Sequence, residues 1–322
     1  MMPVPDQFPF TRYLAAKKSV DDRALNRQVW EALRGELPGT SPQNPLHVLE
    51  IGAGIGTMVE RMLEWKLLRH ARYTAIDHQA GNIAAARRRL QAYPAVHVLH
   101  PRQGERSGMP AEGEPQIVLR LQDRDILAMI PLRQGERLYD LLIAHAFLDL
   151  IDLPSTLPGI LSLLKPGGLF YFTLNFDGLT LFEPQINPPL DELILNLYHR
   201  SMDERLRDGR PSGDSHTGRR LFTLLKQCGA QILAAGASDW VVFPHEAGYP
   251  GDEAYFLHFI IHTVHTELAG HPDLDPLALS SWVHRRQAQI ESGELVYIAH
   301  QIDFTGRYRP TAASAERSNE VK

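Results

Sequence analysis

A glycine-rich turn at residues 50–56 has the residue types and spacing to do chemistry. An apolar run ends at Glu50, and Gly52, Gly54 and Gly56 then alternate with other residues before a helical pattern begins. Because glycine has no Cβ and tolerates positive φ, such a turn lets a ligand lie directly against the main chain. The pattern predicts a nucleotide-type pocket between a strand and a helix.

Two details of this turn weigh against a dinucleotide. The dinucleotide fingerprint has its third glycine three residues after the second, where this chain has Thr57. The carboxylate of Glu50 would also repel a pyrophosphate in a poorly solvated crevice, whereas it suits a ligand with an ammonium group. We expect the ligand to contact Glu50, Gly52, Ala53, Gly54 and Gly56.

An acid follows at the end of the second predicted strand. Asp77 lies 21 residues after Gly56. In nucleotide-binding βαβ units, a carboxylate at this point accepts both ribose hydroxyls. An acid at a strand end can instead cap a helix, but the distance from the glycine turn favours ligand binding. We therefore expect Asp77 and the adjacent His78 to contact the ligand.

A nearly continuous apolar run over residues 138–145 predicts a buried parallel strand. Ligands in open α/β sheets bind beyond the carboxyl ends of the strands, so His145 and Asp149 are expected beside the reacting atoms. Ala144 and His145 are also expected to contact the ligand that the glycine turn binds. The pKa of an unperturbed imidazole lies near neutrality, which makes His145 a candidate general base. Alternatively, His145 only bonds the ligand or a backbone group.

The elements that must position these residues alternate between strands and helices, as in a doubly wound α/β sheet with helices on both faces. Other strands are predicted at residues 46–51, 71–77, 117–121, 169–174, 232–243 and 294–304. We divide the chain into a helical arm (1–44), a sheet domain (45–310) and a frayed tail (311–322). Helical lid insertions are predicted at about 176–215 and 245–292, the latter as helices over 253–268 and 276–291.

The arm has apolar residues at helical spacing, and Ser19 is predicted to begin its main helix. Because the arm precedes the first sheet strand, it must pack outside the sheet, either over the ligand mouth or against the sheet edge. Lys17 and Lys18 are interpreted as a solvated face.

The amino-acid composition excludes some classes of protein and partner for this chain. The chain has 322 residues, of which 43% are hydrophobic and 22% charged, with one cysteine and a formal net charge of −5. One cysteine excludes an internal disulfide, and the negative charge argues against nucleic acid as a partner. Neither a secretory signal nor a membrane-length apolar run is evident, so we expect a cytoplasmic enzyme with a small-molecule substrate.

The glycine turn resembles the first motif of the class I S-adenosylmethionine-dependent methyltransferases. Three further features follow in the family's order: Asp77, the acidic region around Asp125, and a Pro-Gly-Gly turn at 166–168. The resemblance spans about residues 46–304 and implies a seven-stranded, mostly parallel sheet with the last strand antiparallel. It implies S-adenosylmethionine as the cofactor, whose adenine amino group would be accepted by Asp125 beside Ile126, or by the rival Asp123.

The family resemblance implies in-line methyl transfer, by O- or N-methylation of a small molecule. The candidate residues for the substrate are Tyr13, Asp149, Asn175 and His216. The Asn-Pro-Pro-Tyr tetrapeptide of adenine methylation is replaced here by residues 145–148, which disfavours nucleic-acid substrates. Two departures from the family are the loop at 101–115 and the two helices before the last strand.

Two other functions stay open. An NAD(P)-dependent oxidoreductase shares the sheet and Asp77, and a non-catalytic S-adenosylmethionine-binding subunit would keep the fold without the chemistry. His258, His262 and His265 lie at helical spacing on one face, but their apolar neighbours favour a core face. We therefore predict no metal site.

Overall fold

The structure is a computed structural model and describes residues 9–99, 116–132, 136, 138–207 and 209–310. The predicted loop at 101–115 and tail at 311–322 lie outside these residues. The strands are β1 (Leu46–Ile51), β2 (His70–Asp77), β3 (Val96–Val98), β4 (Gln116–Asp123), β5 (Tyr139–His145), β6 (Leu164–Glu183), β7 (Leu206–Arg207), β8 (Arg210–Pro211), β9 (Ala230–Ala237), β10 (Trp240–Val242) and β11 (Val296–Tyr308). The α-helices are α1 (Phe10–Ala24), α2 (Arg27–Glu36), α3 (Thr57–Glu64), α4 (Ala80–Leu90), α5 (Ile126–Leu132), α6 (Leu153–Ser162), α7 (Pro188–Asp203), α8 (Thr217–Gln227), α9 (Glu253–Leu268) and α10 (Pro276–Glu291).

One mixed sheet organises these elements. Its strand order is β10-β11-β6-β5-β1-β2-β4-β3, and β9 pairs with the same edge of β11 as β10 does. Neighbouring strands are parallel except at β11, which is antiparallel to β6, β9 and β10. The strand order changes direction at β1: β2, β4 and β3 lie on one side of it, and β5 and β6 lie on the other. Ligands bind at such a point in open α/β sheets.

The doubly wound fold expected from the sequence is confirmed, with two differences in strand count. The short strand β3 adds an edge beyond β4. The predicted sixth strand at 232–243 is divided into β9 and β10, because the chain leaves the ladder at Ser238 and Asp239. Nine strands therefore form the sheet where seven were predicted.

Alternate residues of the central strands face two separate apolar cores, as the period of a strand requires. Leu141 and Leu169 belong to one core, together with helices α1–α4, α7, α9 and α10. Leu142 and Phe170 belong to the other, together with α5, α6 and α8. Helices cover both faces of the sheet, as predicted.

The N-terminal arm consists of two helices, α1 and α2, where the sequence predicted one main helix beginning at Ser19. That prediction is wrong, because Ser19 lies in the middle of α1. The chain instead breaks after α1, and the side chain of Asn26 caps α2 by accepting a hydrogen bond from the Val29 N–H at 3.1 Å. Helix α1 packs against α9 and β10.

Strand β6 runs on to Glu183, well past its predicted end at residue 174. Its partner β11 has 13 residues and stays paired with the extended part, where Tyr297 lies opposite Phe182. The insertion predicted at about 176–215 therefore begins only after Glu183. The two helices predicted before the last strand, over 253–268 and 276–291, are α9 and α10.

No helix in the described part of the chain combines the length and apolar character needed to cross a membrane.

Candidate active site

A cavity of about 560 Å³ opens at the carboxyl ends of the parallel strands. Its walls come from α1, the glycine turn after β1, the ends of β2 and β5, the start of α5, strand β6, helices α7 and α9, and strands β10 and β11. The structure brings most of the predicted site residues together on its wall: Tyr13, Glu50, Gly52, Ala53, Gly54, Asp77, His78, Asp125, Ile126, His145 and Asp149.

Four predicted site residues are not on the cavity wall among the described residues: Gly56, Ala144, Asn175 and His216. Asn175 is fully buried in the pairing of β6 with β11, where its side-chain amide donates to the carbonyl of Ile302 at 2.8 Å. Nδ1 of His216 lies 2.9 Å from the hydroxyl of Ser215. The positions of Asn175 and His216 therefore do not support the predicted contact with substrate.

The glycine turn uses the left-handed backbone region at each of its glycines. The φ values are 66° at Gly52, 54° at Gly54 and 83° at Gly56. Gly56 packs on α4, since a Cβ built there would lie 2.6 Å from Cδ1 of Leu90. The third glycine thus serves the contact between α3 and α4, while Gly52 and Gly54 reach the cavity.

Glu50 lies at the end of β1, 1% exposed, and lines the cavity. The hydroxyl of Tyr73 donates to its Oε2 at 2.7 Å. Burial raises the pKa of Glu50 to about 8, although the hydrogen bond from Tyr73 acts in the opposite direction. A positively charged ligand group at this point would restore the charged form.

Asp77 bonds backbone groups near the start of α4 and in the glycine turn, and it also lines the cavity. Its Oδ1 accepts from the N–H of Gln79, the residue before α4, at 2.8 Å. Its Oδ2 accepts from the N–H of Gly54 at 2.9 Å, which holds the glycine turn against β2. The carboxylate also lines the cavity, and an ionised carboxylate has about four acceptor positions, so it can bind ligand hydroxyls as well.

Asp125 and Asp123 were the two candidates for accepting the adenine amino group, and the structure places only Asp125 on the cavity wall. Asp125 and Ile126 line the cavity, whereas Asp123 is exposed at the end of β4. Oδ1 of Asp125 accepts from the N–H of Leu127 at 2.9 Å, and its Oδ2 pairs with Arg207 at 3.1 Å.

Both ring nitrogens of His145 face protein groups. Its Nδ1 lies 2.8 Å from the hydroxyl of Thr173, and its Nε2 lies 3.0 Å from Oδ2 of Asp21 and 3.1 Å from Nη1 of Arg61. Burial, and then the charge of Arg61, lower the pKa of His145 to about 4, so the ring is neutral at pH 7. Because a carboxylate only accepts, we assign the Nε2–H tautomer, which donates to Asp21, while the Thr173 hydroxyl donates to Nδ1. Nη1 of Arg61, which only donates, then lies beside Nε2 without bonding it. This geometry favours the interpretation of His145 as a hydrogen-bonding residue over that of a free base.

Asp21 is the centre of a buried network that the sequence analysis missed. Its Oδ2 lies 2.9 Å from Nζ of Lys17, and its Oδ1 accepts from the indole N–H of Trp240 at 2.9 Å. Arg61, on α3, also pairs with it at 3.4 Å. Lys17 is 5% exposed, so its interpretation as a solvated residue is wrong. The four-residue spacing of Lys17 and Asp21 on one helix was the available signal.

The part of the cavity beyond the glycine turn is aromatic. The ring of Tyr13 stacks on Phe259 at a centroid distance of 3.9 Å. Other aromatic residues on this wall come from α7, β10 and β11, and the sequence offered no pattern that linked them: Tyr198, Trp240 and Tyr297.

One group with metal-ligand geometry occurs among the described residues. Asp203, Asp214 and His216 each place one ligand atom within 4.8 Å of the others. Its acids already accept from protein donors: Asp203 from the N–H and hydroxyl of Ser215 at 2.7 and 3.0 Å, and Asp214 from the N–H of His216 at 2.8 Å. The three-histidine face of α9 forms no such group in the described part of the chain.

One protein-family model matches the part of the chain that contains the glycine turn. The family model described as a methyltransferase domain matches residues 49–170, from β1 into β6. No curated protein sequence matches.

Among solved structures, a Bacillus halodurans C-125 protein has 10% identity and a TM-score of 0.49, over 89% of this chain and 100% of that one. Phosphoethanolamine N-methyltransferase 2 of Haemonchus contortus, solved with S-adenosylmethionine, has 12% identity and a TM-score of 0.41, over 95% of this chain and 59% of that one. Such similarities carry no inference about the substrate. The match over residues 49–170 includes Glu50 near the end of β1, the glycine turn and Asp77, so this part of the chain is similar to a methyltransferase domain.

Proposed function

We propose that this chain transfers a methyl group from S-adenosylmethionine to a small molecule held in the aromatic part of the cavity. The observation that supports this most strongly is the continuity of the cavity. One space of about 560 Å³ joins the glycine turn to the aromatic wall, and α1, α7 and α9 contribute to its sides. Such a volume suits a nucleoside-sized donor together with a small acceptor.

The residues around the glycine turn fit the donor. Asp77 would accept the ribose hydroxyls, and Glu50 would hold the amino group of the amino-acid end. Asp125 and Ile126 would bind the adenine, while Gly52, Ala53 and Gly54 would let the donor lie on the main chain. When bound, S-adenosylmethionine supplies a methyl carbon that its sulfonium makes electrophilic.

The protein then has to orient the acceptor and exclude water from it. Helix α1 covers the cavity with Tyr13 and Leu14, and α9 adds Phe259 and Ile260. His145 is held by Thr173 and Asp21, so we place it as a positioning residue that ties β5 to the arm. A base, where the acceptor needs one, must come from another side chain of the cavity.

The test is isothermal titration of the protein with S-adenosylmethionine and, separately, with NADH and NADPH. We expect binding of S-adenosylmethionine alone. In Asp77→Asn its affinity should fall about a hundredfold, because two charge-assisted hydrogen bonds to the ribose are weakened. The matched control is Asp123→Asn, at the exposed end of the neighbouring strand, which should bind like wild type. Binding of a dinucleotide instead would support the oxidoreductase, and equal affinity in Asp77→Asn would contradict the assigned donor site.

A second expected result is a pH dependence of donor-site affinity that Glu50 causes. With a pKa of about 8, Glu50 is neutral in the free protein at neutral pH, whereas an ammonium ligand favours its carboxylate. Binding therefore releases a proton, and affinity for S-adenosylhomocysteine should weaken as pH falls from about 8, approaching about tenfold per pH unit.

Glu50→Gln is the control for this effect, because its amide does not titrate. The variant should bind more weakly and show a flat profile over the same pH range. An unchanged slope in Glu50→Gln, measured by titration calorimetry, would assign the proton to another group.

A further inference from the structure

Charges inside the cavity are unequally paired. Three cationic side chains on the cavity wall each face a carboxylate: Lys17 faces Asp21 at 2.9 Å, Arg205 faces Glu267 at 3.8 Å and Arg207 faces Asp125 at 3.1 Å. Oδ1 of Asp149, in contrast, is buried and has no hydrogen-bond partner among the described residues. Buried polar atoms in folded proteins are nearly always hydrogen-bonded, so we expect a ligand to donate a hydrogen bond to this oxygen.

A second acceptor atom on the same wall has no donor. Gln301, on β11, is 2% exposed and lines the cavity, and its Oε1 has no hydrogen-bond partner in the described part of the chain. Together with Asp149, it makes the acceptor part of the cavity rich in oxygen atoms that need N–H or O–H donors.

Three tyrosine hydroxyls surround this region. Tyr13, Tyr198 and Tyr297 line the cavity, and no hydrogen bond joins their hydroxyls to another residue that the structure describes. Burial raises the pKa of the Tyr13 hydroxyl well above its usual range, and the nearby Tyr297, Tyr198 and Asp149 add to the effect. Tyr13 therefore lies within electrostatic reach of Tyr297, Tyr198 and Asp149. Faces of aromatic rings attract cations, most strongly where water is excluded.

We infer that the methyl acceptor of this enzyme is an amine, bound as its ammonium form by Asp149 within the aromatic wall of Tyr13, Tyr198 and Tyr297. The inference rests on the proposed methyltransferase function and names its substrate class. A carboxylate or phosphate near Asp149 would be repelled in a poorly solvated space. An alcohol supplies one donor and no charge, and so adds nothing to the positive charges of Lys17 and Arg205 that act on this carboxylate.

The same carboxylate can take the proton that must leave before transfer. Asp149 accepts one proton from the ammonium, which frees the nitrogen lone pair. That lone pair forms the new N–C bond while the electron pair of the broken C–S bond stays on sulfur, so the product is a methylated ammonium and a neutral thioether. Burial raises the pKa of Asp149 to about 6, which brings it nearer to the range of an effective base at neutral pH.

The experiment compares three probes of one size on the protein saturated with S-adenosylhomocysteine: 2-phenylethylamine, 2-phenylethanol and 3-phenylpropionate. We expect titration calorimetry to show the amine binding at least about tenfold more tightly than the other two, as a charge-assisted hydrogen bond would give. With S-adenosylmethionine, mass spectrometry should detect N-methyl-2-phenylethylamine and no methyl ether or ester.

Asp149→Asn, which is nearly isosteric, should lose the amine preference while its affinity for S-adenosylhomocysteine changes less than about twofold. The matched control is Asp273→Asn, which removes the same charge from an exposed ion pair with Arg200 and should keep the preference. Preference for the alcohol or the acid, an undiminished amine preference in Asp149→Asn, or no binding of any probe at millimolar concentration would overturn the inference. Failure of wild type to bind S-adenosylmethionine would instead overturn the proposed function itself.

Discussion

Replacing Asp21 by alanine is expected to lower the free energy of unfolding by about 3–5 kcal/mol, as measured by urea denaturation. The substitution removes the carboxylate from a buried network and leaves Lys17 and Arg61, 5% and 0% exposed, without that counter-charge. Removing one partner of a buried ion pair costs this much because the remaining charge stays desolvated. The Trp240 indole N–H and Nε2 of His145 lose an acceptor as well.

The pH dependence of this contribution has a definite sign. Burial alone would raise the pKa of Asp21, but Lys17, His145 and Arg61 outweigh it and hold the pKa below its usual range. Stability from this carboxylate is therefore fully present above the ordinary pKa of an aspartate and is lost as pH falls from there through the lowered pKa. The difference between wild type and Asp21→Ala should shrink only under strongly acidic conditions.

Asp252→Ala provides the control, because Asp252, just before α9, pairs with a residue of the same arm. Asp252 pairs with Arg12 at 3.0 Å, and both side chains are about half exposed, so the loss should stay below about 1 kcal/mol. Equal losses in the two variants would show that the buried network contributes no more than a surface pair. Asp21→Ala should also weaken ligand binding, since α1 supplies Tyr13 and Lys17 to the cavity wall.

Gly56→Ala is expected to destabilise the protein by about 2–5 kcal/mol. A left-handed backbone costs a residue with a Cβ about 1–2 kcal/mol, and φ is 83° here. The added Cβ would also lie 2.6 Å from Cδ1 of the fully buried Leu90, and overpacking of this kind costs about 1–3 kcal/mol. Thermal and urea denaturation would both report the change.

Gly167→Ala separates the two causes. Its φ is 81°, nearly the same as at Gly56, but no atom lies within 4 Å of the Cβ that would be added. Only the cost of the left-handed backbone applies, so the free energy of unfolding should fall by about 1–2 kcal/mol. If both variants lose the same stability, Leu90 adapts without cost and the packing role assigned to Gly56 is wrong.

Features that depend on neighbours in sequence could be predicted from the sequence. Local residue spacing predicts the glycine turn, the acid at the end of β2 and the alternation of strands and helices. This is because turn conformation and the period of a strand or helix depend on a few neighbouring residues. The fold class and the wall around the donor site follow from that spacing. The helix bounds at 253–268 and 276–291 were predicted for the same reason.

Tertiary structure decided the features that join distant parts of the chain. Asp21, Arg61 and His145 meet across α1, α3 and β5, and each looks like an ordinary surface or strand-end residue in its own segment. The pairing of β6 with β11, more than a hundred residues later in the chain, set the length of β6. Asn175 and His216 do not lie on the cavity wall. Long-range pairing and burial are properties of the assembled sheet, so the sequence by itself determined the glycine turn, whereas only the tertiary structure decided which distant side chains line the cavity with it.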